Sequence, residues 1–256
     1  MSDGLKSAKT GLLETAVIVA EALAIAMFVR IFFYQPFNIP SGSMKETLLI
    51  GDYIFVSKLS YGYSKYSFPF SPDIFSGRLF SAEPKRGDVA VFRKPNEPSV
   101  DFIKRVIGLP GDEIQMRKGQ LFINGAAIPK EPAGEFITRG EETSRPRTIA
   151  VFEETLPNGV KYKVLDSIAN GPLDNTAPYK VPAGDYFMMG DNRDNSTDSR
   201  VQGEQGVGYV PLENFIGRAE VIFFSAATDE PGALRWWSPW TWPFDIRWSR
   251  FFNLVR

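Results

Sequence analysis

The 256-residue chain contains no cysteine and no histidine. Without Cys there is no disulfide, no thiolate nucleophile and no thiolate-held metal. Without His there is no Ser–His pair and no imidazole metal site. A hydrolase made from this chain must attack with a hydroxyl or a carboxylate, and its base must be a lysine, a carboxylate, or water held by one. The lack of disulfides does not place the chain in the cytosol, because an exported domain of this size can be stable without them. A dominant charge is missing as well. The 29 basic and 30 acidic residues leave a formal net charge of −1, so no global basic field exists to hold nucleic acid. Internal repeats and low-complexity tails are also absent, while the 43% apolar content can form a substantial core.

Long apolar runs are scarce, and the one present is N-terminal. Leu12 to Tyr34 is mostly apolar and as a helix would reach about 35 Å, against a bilayer core of about 30 Å. Glu14, Glu21 and Arg30 interrupt it. A central carboxylate costs about 2.5–3.5 kcal/mol on insertion scales, so Glu21 needs a polar partner or cavity. A cleaved signal peptide, an amphipathic surface helix and a buried soluble helix compete with a retained anchor. Ala22, Ala24 and Ala26 have cleavage-site spacing, but the apolar run continues past them to Phe33. Two Glu give too narrow a polar face for a surface helix. A retained transmembrane anchor is the expectation. Lys6 and Lys9 precede it, which favours a cytoplasmic N-terminus with the remaining chain outside the cytoplasm.

Beyond Tyr34 no long 3.6-residue periodicity appears. Gly-Asp recurs ahead of apolar runs at Gly51-Asp52, Gly87-Asp88, Gly111-Asp112 and Gly184-Asp185, reading as turns that feed strands. Asn124-Gly125 and Asn158-Gly159 are hairpin signals. Residues 60–86 read as an irregular excursion, and 130–147, charged and proline-bearing, as a loop or weak linker. The expectation is a mainly β chain.

Three segments carry candidate chemistry: Pro36-Phe-Asn-Ile-Pro-Ser-Gly-Ser-Met44, Asp101-Phe-Ile-Lys-Arg-Val-Ile-Gly-Leu-Pro-Gly-Asp112 and Met189-Gly-Asp-Asn-Arg-Asp-Asn-Ser-Thr-Asp-Ser-Arg200. Ser41-Gly42-Ser43 can present hydroxyls and backbone N–H groups together, though most such strings are ordinary turns. In the second segment, strand alternation puts Phe102, Lys104 and Val106 on one face and Ile103, Arg105 and Ile107 on the other. A lysine among apolar neighbours loses solvation and basicity, which suits a base. The alternative is a packed stem whose ammonium reaches water. The third segment reads as a loop rich in Asx turns or as a metal loop. Its spacing does not match the calcium-loop pattern, and interleaved Arg193 and Arg200 point to ion pairing.

In this order the three segments, joined by Arg86-Gly-Asp-Val-Ala-Val-Phe92, closely resemble those of the bacterial signal peptidase I (leader peptidase) family, from the anchor through Arg218. The resemblance implies Ser43 as nucleophile and Lys104 as general base. It implies Ser41 and the Ser43 N–H as oxyanion hole, Ser196 as the group that orients Lys104, and Arg105–Asp191 and Asp198–Arg200 as supporting ion pairs. Ile39 and Ile103 are expected in the walls of the substrate pocket. The implied fold is a β core with a second β region inserted at about 113–182. The implied layout is a cytoplasmic tail (1–11), an anchor (12–34) and an extracytoplasmic catalytic domain (35–256) on the outer side of the bacterial inner membrane. Secretory preproteins, cut after small residues, would be the substrates and the lipid bilayer a partner, with no cofactor, metal or nucleic acid. Glu46 departs from the family, many of whose members carry Pro there. A self-cleaving repressor would share the Ser–Lys chemistry but needs a DNA-binding domain in place of residues 12–34. A conjugation or pilus peptidase would differ in substrate range, and an anchored β-rich binding protein would use these residues only structurally. All five Trp fall between Trp236 and Trp248, among Arg235, Arg247, Arg250 and Arg256. That tail either packs on the core or touches lipid.

Overall fold

A computed structural model of the chain describes residues 2–73, 75–139, 146–228 and 237–256. Helix α1 (Ser2–Phe32) contains one stretch, Leu13–Phe32, long and apolar enough to cross a membrane, and none of it is buried against the protein. Leu23 and Ile25 are more than 60% exposed, which in water would waste most of their transfer free energy. The helix stops two residues short of the expected Tyr34, which instead opens strand β1 (Tyr34–Asn38). Pro36 accounts for this, since the residue before a proline is pushed out of the helical region.

The rest of the chain is mainly β. After β1 come β2 (Asp52–Ser57), β3 (Val89–Lys94), β4 (Glu97–Gly108), β5 (Glu113–Arg117), β6 (Gln120–Ile123) and β7 (Ala126–Ala127). Strands β8 (Lys130–Arg139), β9 (Pro146–Thr155), β10 (Lys161–Asp166), β11 (Tyr179–Lys180), β12 (Asp185–Met189), β13 (Val210–Pro211) and β14 (Phe215–Ser225) follow. The main sheet runs β1-β2-β14-β3-β4-β12-β13. A three-stranded sheet, β10-β9-β8, and a four-stranded sheet, β11-β5-β6-β7, are both drawn from residues 113–180. Ile107 and Phe187 of the main sheet share one core with Ile114, Leu121 and Val164 of the smaller two. Ile54, Val56, Val91 and Ile216 form a second core under β1 and the turn that follows it.

The Gly-Asp turns lie where the sequence places them. Gly51 has φ +87°, and a Cβ there would fall 2.0 Å from the Ala226 carbonyl oxygen, so only glycine fits. Where a loop or weak linker is expected over 130–147, β8 pairs with β9 along Lys130–Arg139, and residues 140–145 lie outside the described residues. The charges of β8 are tolerated because none of its described side chains is buried, and a register shift between Pro132 and Gly134 absorbs the proline. Residues 60–86 are irregular, with one isolated bridge between Tyr63 and Leu79.

Trp236 and Arg235 lie outside the described residues. The remainder of the tail is tied to the body through its arginines. Arg250 donates through Nε and Nη2 to the buried Asp52 carboxylate, and Arg247 donates to the carbonyls of Ile50 and Ala226. Trp237, Trp240 and Trp248 remain more than half exposed, so the tail packs by its cations and leaves its indoles outward.

Glu46 stands at φ +84°, a conformation closed to proline, whose ring fixes φ near −65°. The turn after Ser43 is therefore built differently from one that carries Pro. Glu46→Pro should lower stability by more than about 1 kcal/mol and Glu46→Gly should not. Thermal unfolding of the detergent-solubilised chain reads this, and equal melting of the Pro variant and the parent would show that the turn relaxes freely.

Candidate active site

Strand β1 runs through Ile39 and Pro40 into a single tight turn, Gly42–Met44, whose three residues are all buried. Paired in the main sheet between β3 and β12, β4 presents Lys104 to that turn. Lys104 Nζ lies 2.7 Å from Ser43 Oγ and donates to the Ile103 carbonyl at 2.9 Å. It stands 5.1 Å from the centre of the Phe102 ring, as the strand alternation requires. Only 3% of Lys104 is exposed, and burial pulls its pKa down to about 8, with Asp198 and Asp191 pushing the other way.

Those two carboxylates are already engaged. Arg105 Nε and Nη2 donate to Asp191 at 2.9 and 2.7 Å. Arg200 Nε and Nη2 donate to Asp198 at 2.9 and 2.8 Å. Burial alone would raise the Asp198 carboxyl, but the Arg200 guanidinium together with hydrogen bonds such as that from the Gly190 N–H holds that group below its ordinary range. Both pairs are dry, with every partner side chain at most 1% exposed. Removing one member of such a pair strands a buried charge at about 3–5 kcal/mol.

Ser41 is exposed, its Oγ 3.5 Å from Ser43 Oγ. Ser196 is buried beside the dyad and lines the same cavity. No hydrogen bond joins its Oγ to Lys104, whose second bond goes to Ile103. Ile39 and Ile103 both line a cavity of about 240 Å³ together with Phe37, Val91, Asp101 and Phe102. A second cavity of about 520 Å³ is lined by Ser43, Leu173, Asn195, Ser196 and Thr197. Ser41, Phe102 and Lys104 border both, so the dyad stands where the two meet.

Several residues without an expected role hold this arrangement. Asn192 donates through its backbone to the Ser43 carbonyl at 3.1 Å and through its amide to the Gly42 carbonyl at 2.9 Å, gripping the serine turn from outside. Thr47 Oγ1 bridges Asp191 and Arg105. Behind them lies a buried network from the smaller sheets. Arg193 donates to Glu154, Tyr162 donates to Glu154, and the Arg105 guanidinium lies 4.4 Å over the Tyr162 ring. Arg193, which the sequence marks as an ion-pairing residue, finds its partner in Glu154, and Asn192 stands inside the same motif and could have been singled out there. Glu154 and Tyr162 are ordinary strand residues, and only tertiary structure brings them here. The carboxylates of Asp166, Asp174 and Asp194 also converge near the second cavity. Lys130 takes Asp166, and the N–H groups of Ser167 and Ile168 take Asp194.

The family model "Signal peptidase, peptidase S26" matches residues 12–224. A signal peptidase I of Rickettsia typhi is 45% identical over 244 residues, spanning 92% of this chain and 86% of the relative. One from Rickettsia conorii is 46% identical over 227 residues, 85% of this chain and 79% of the relative. The crystal structure of a signal peptidase I from Enterococcus faecalis aligns with 54% of this chain and 97% of its own, at 25% identity and a TM-score of 0.30.

Gly190 has no room for a side chain: a Cβ would fall 2.2 Å from Ser196 Oγ and 2.6 Å from the Ser43 carbonyl oxygen. Gly190→Ala must displace Ser196, the Ser43 carbonyl or both, and so disturb the fit of the serine turn against Lys104. A displacement near 1 Å costs on the order of 100-fold in rate. Hydrolysis by Gly190→Ala should fall by about that factor in a folded protein, and a rate within about threefold of the parent would show that the two loops are not in register-determining contact.

Proposed function

Because the chain belongs to the signal peptidase family, peptidase S26, and is a serine peptidase that removes signal peptides, we propose that it does so with Ser43 as nucleophile and Lys104 as general base. One observation carries this reading: a desolvated lysine amine 2.7 Å from a buried serine hydroxyl, at the junction of two cavities. The neutral amine takes the Ser43 proton as Oγ attacks the scissile carbonyl. The oxyanion is met by the Ser41 hydroxyl and the Ser43 N–H. The resulting lysine ammonium gives its proton to the leaving amine as the C–N bond breaks. Water, deprotonated in turn by Lys104, then releases the acyl group from Ser43. No step calls for a metal or cofactor.

Secretory preproteins are the substrates in this reading, cut after small residues. The cavity walled by Ile39 and Ile103 supports that preference, because stiff β-branched walls exclude longer side chains by overlap. A substrate strand would lie against them with alternate side chains turned inward. Ser196 would reach Lys104 by a rotamer change once substrate is seated. Helix α1 would cross the bacterial inner membrane with its N-terminus in the cytoplasm, putting residues 35–256 on the outer face, where preproteins emerge. The two smaller sheets would be the inserted β region. The outward indoles of Trp240 and Trp248 would meet the lipid interface.

Purified chain incubated with a secretory preprotein tests the core of this reading. Ser43→Ala, Lys104→Ala and Lys104→Arg should each lose at least about 1,000-fold. The guanidinium of the Arg variant stays protonated at working pH. EDTA should leave the rate unchanged. Near-parental cleavage by Lys104→Arg, or loss with chelator and recovery with added metal, would remove Lys104 as the base.

A further inference from the structure

Helix α1 ends in an unusual way. The last carbonyls of a helix have no partner within it and are ordinarily met by water or by a local cap. Here four consecutive carbonyls are met by donors from one segment of the β body. Lys58 Nζ donates to the Arg30 carbonyl at 2.9 Å and to that of Ile31 at 3.3 Å. The Tyr63 hydroxyl donates to the Phe32 carbonyl, and the Lys58 backbone N–H donates to that of Phe33 at 2.9 Å. Lys58 Nζ also donates to the Ser67 carbonyl, so its three N–H donors are all spent. Lys58 is 1% exposed, and no carboxylate among the described residues pairs with it. A buried ammonium survives only where hydrogen bonds replace water, and the unpaired carbonyls of a helix C-terminus favour a cation.

The segment that does this is not a free loop. Lys58 directly follows β2, which pairs with β1 and β14. On the far side of the junction, Phe33 leads straight into β1 and from there to Ile39 and the Ser43 turn. The helix end and the catalytic turn are thus held by the same pair of strands, with no flexible linker between them.

We propose that Lys58 and Tyr63 are positioning residues for membrane-inserted substrates. They lock the anchor to the catalytic body, so the groove stands at a fixed height above the bilayer and reads cleavage sites at a set distance from the substrate's own apolar segment. This rests on the reading of α1 as an anchor and of Ser43 as the nucleophile. Neither residue lines the cavities around the dyad, so hydrolysis of a short soluble peptide does not depend on them.

The test uses the full chain in proteoliposomes, with two substrates. One is a set of membrane-inserted preproteins that differ by one to six residues between apolar segment and cut. The other is a short soluble peptide bearing the same cut. Lys58→Met should lower kcat/KM on the best preprotein by about tenfold and flatten the dependence on spacer length, because groove and substrate are no longer held in register. Peptide hydrolysis should stay within about twofold of the parent. Tyr63→Phe, which deletes one hydroxyl, should shift the same ratio in the same direction by less. If Lys58→Met fails to fold, Tyr63→Phe decides alone. An equal loss on both substrates, or an unchanged spacer profile in a folded variant, overturns the proposal. Ser43→Ala in the same vesicles separates the two readings: cleavage that persists there contradicts the proposed nucleophile and leaves the spacer comparison to judge the joint.

Discussion

An ammonium withdrawn from water must find a counter-charge or a full set of acceptors, or give up its proton, and the site around Lys104 offers it no free counter-charge. Two carboxylates lie close enough to act on it, Asp191 and Asp198. Each is held by its own arginine through two hydrogen bonds in a dry setting. Had either aspartate lacked its arginine, its uncompensated charge would have favoured the protonated amine and raised the Lys104 pKa. The arginines keep the fold intact and keep the lysine unpaired by the same contacts. Much of the surrounding structure serves these two pairs. Thr47 bridges one of them, Tyr162 stacks under Arg105, and Glu154 orients Arg193, whose carbonyl accepts from Arg200.

The two ends of the chain are held to the body in the same style. The anchor's final carbonyls are taken by Lys58 and Tyr63, and the tail is drawn in by Arg250 on the buried carboxylate of Asp52. Both attachments fall around β2, the strand that also supports β1 and so the serine turn. Parts that would face lipid are therefore connected to the parts that do chemistry through one rigid strand pair. Peptide bonds at a membrane surface are presented at a height set by their own hydrophobic segment, so rigidity here is a means of reading position.

The strands and turns were legible because their signals are local: Gly51-Asp52 and Asn124-Gly125 demand dihedrals that few other residues tolerate. Lys104 could be put on the face of Phe102 by alternation alone. Its nearness to Ser43, 61 positions away, could not, and came only from motif resemblance. Residues 130–139 look like a loop because charge and proline are rare in a strand with a buried face, and no described side chain of β8 is buried. Glu154 and Tyr162 carry no local signal, since their partners lie on β4 and in the loop after β12. The end of α1 was missed by two residues because hydropathy continues through Phe33 and Tyr34, whereas the backbone answers to Pro36.

Whether Lys104 is neutral where the enzyme works can be read from its own titration. With 15N-labelled lysine in the full chain, the Lys104 Nζ resonance, assigned by its loss in Lys104→Met, can be followed from pH 5 to 11. The expected midpoint lies near 8, so that the amine is increasingly neutral above it and the rate of acylation rises with pH over the same interval. Arg200→Met, by releasing Asp198 as a counter-charge, should move that midpoint upward. A Lys104 midpoint at or above about 10.4, the ordinary lysine value, in the active enzyme would contradict Lys104 as the neutral base.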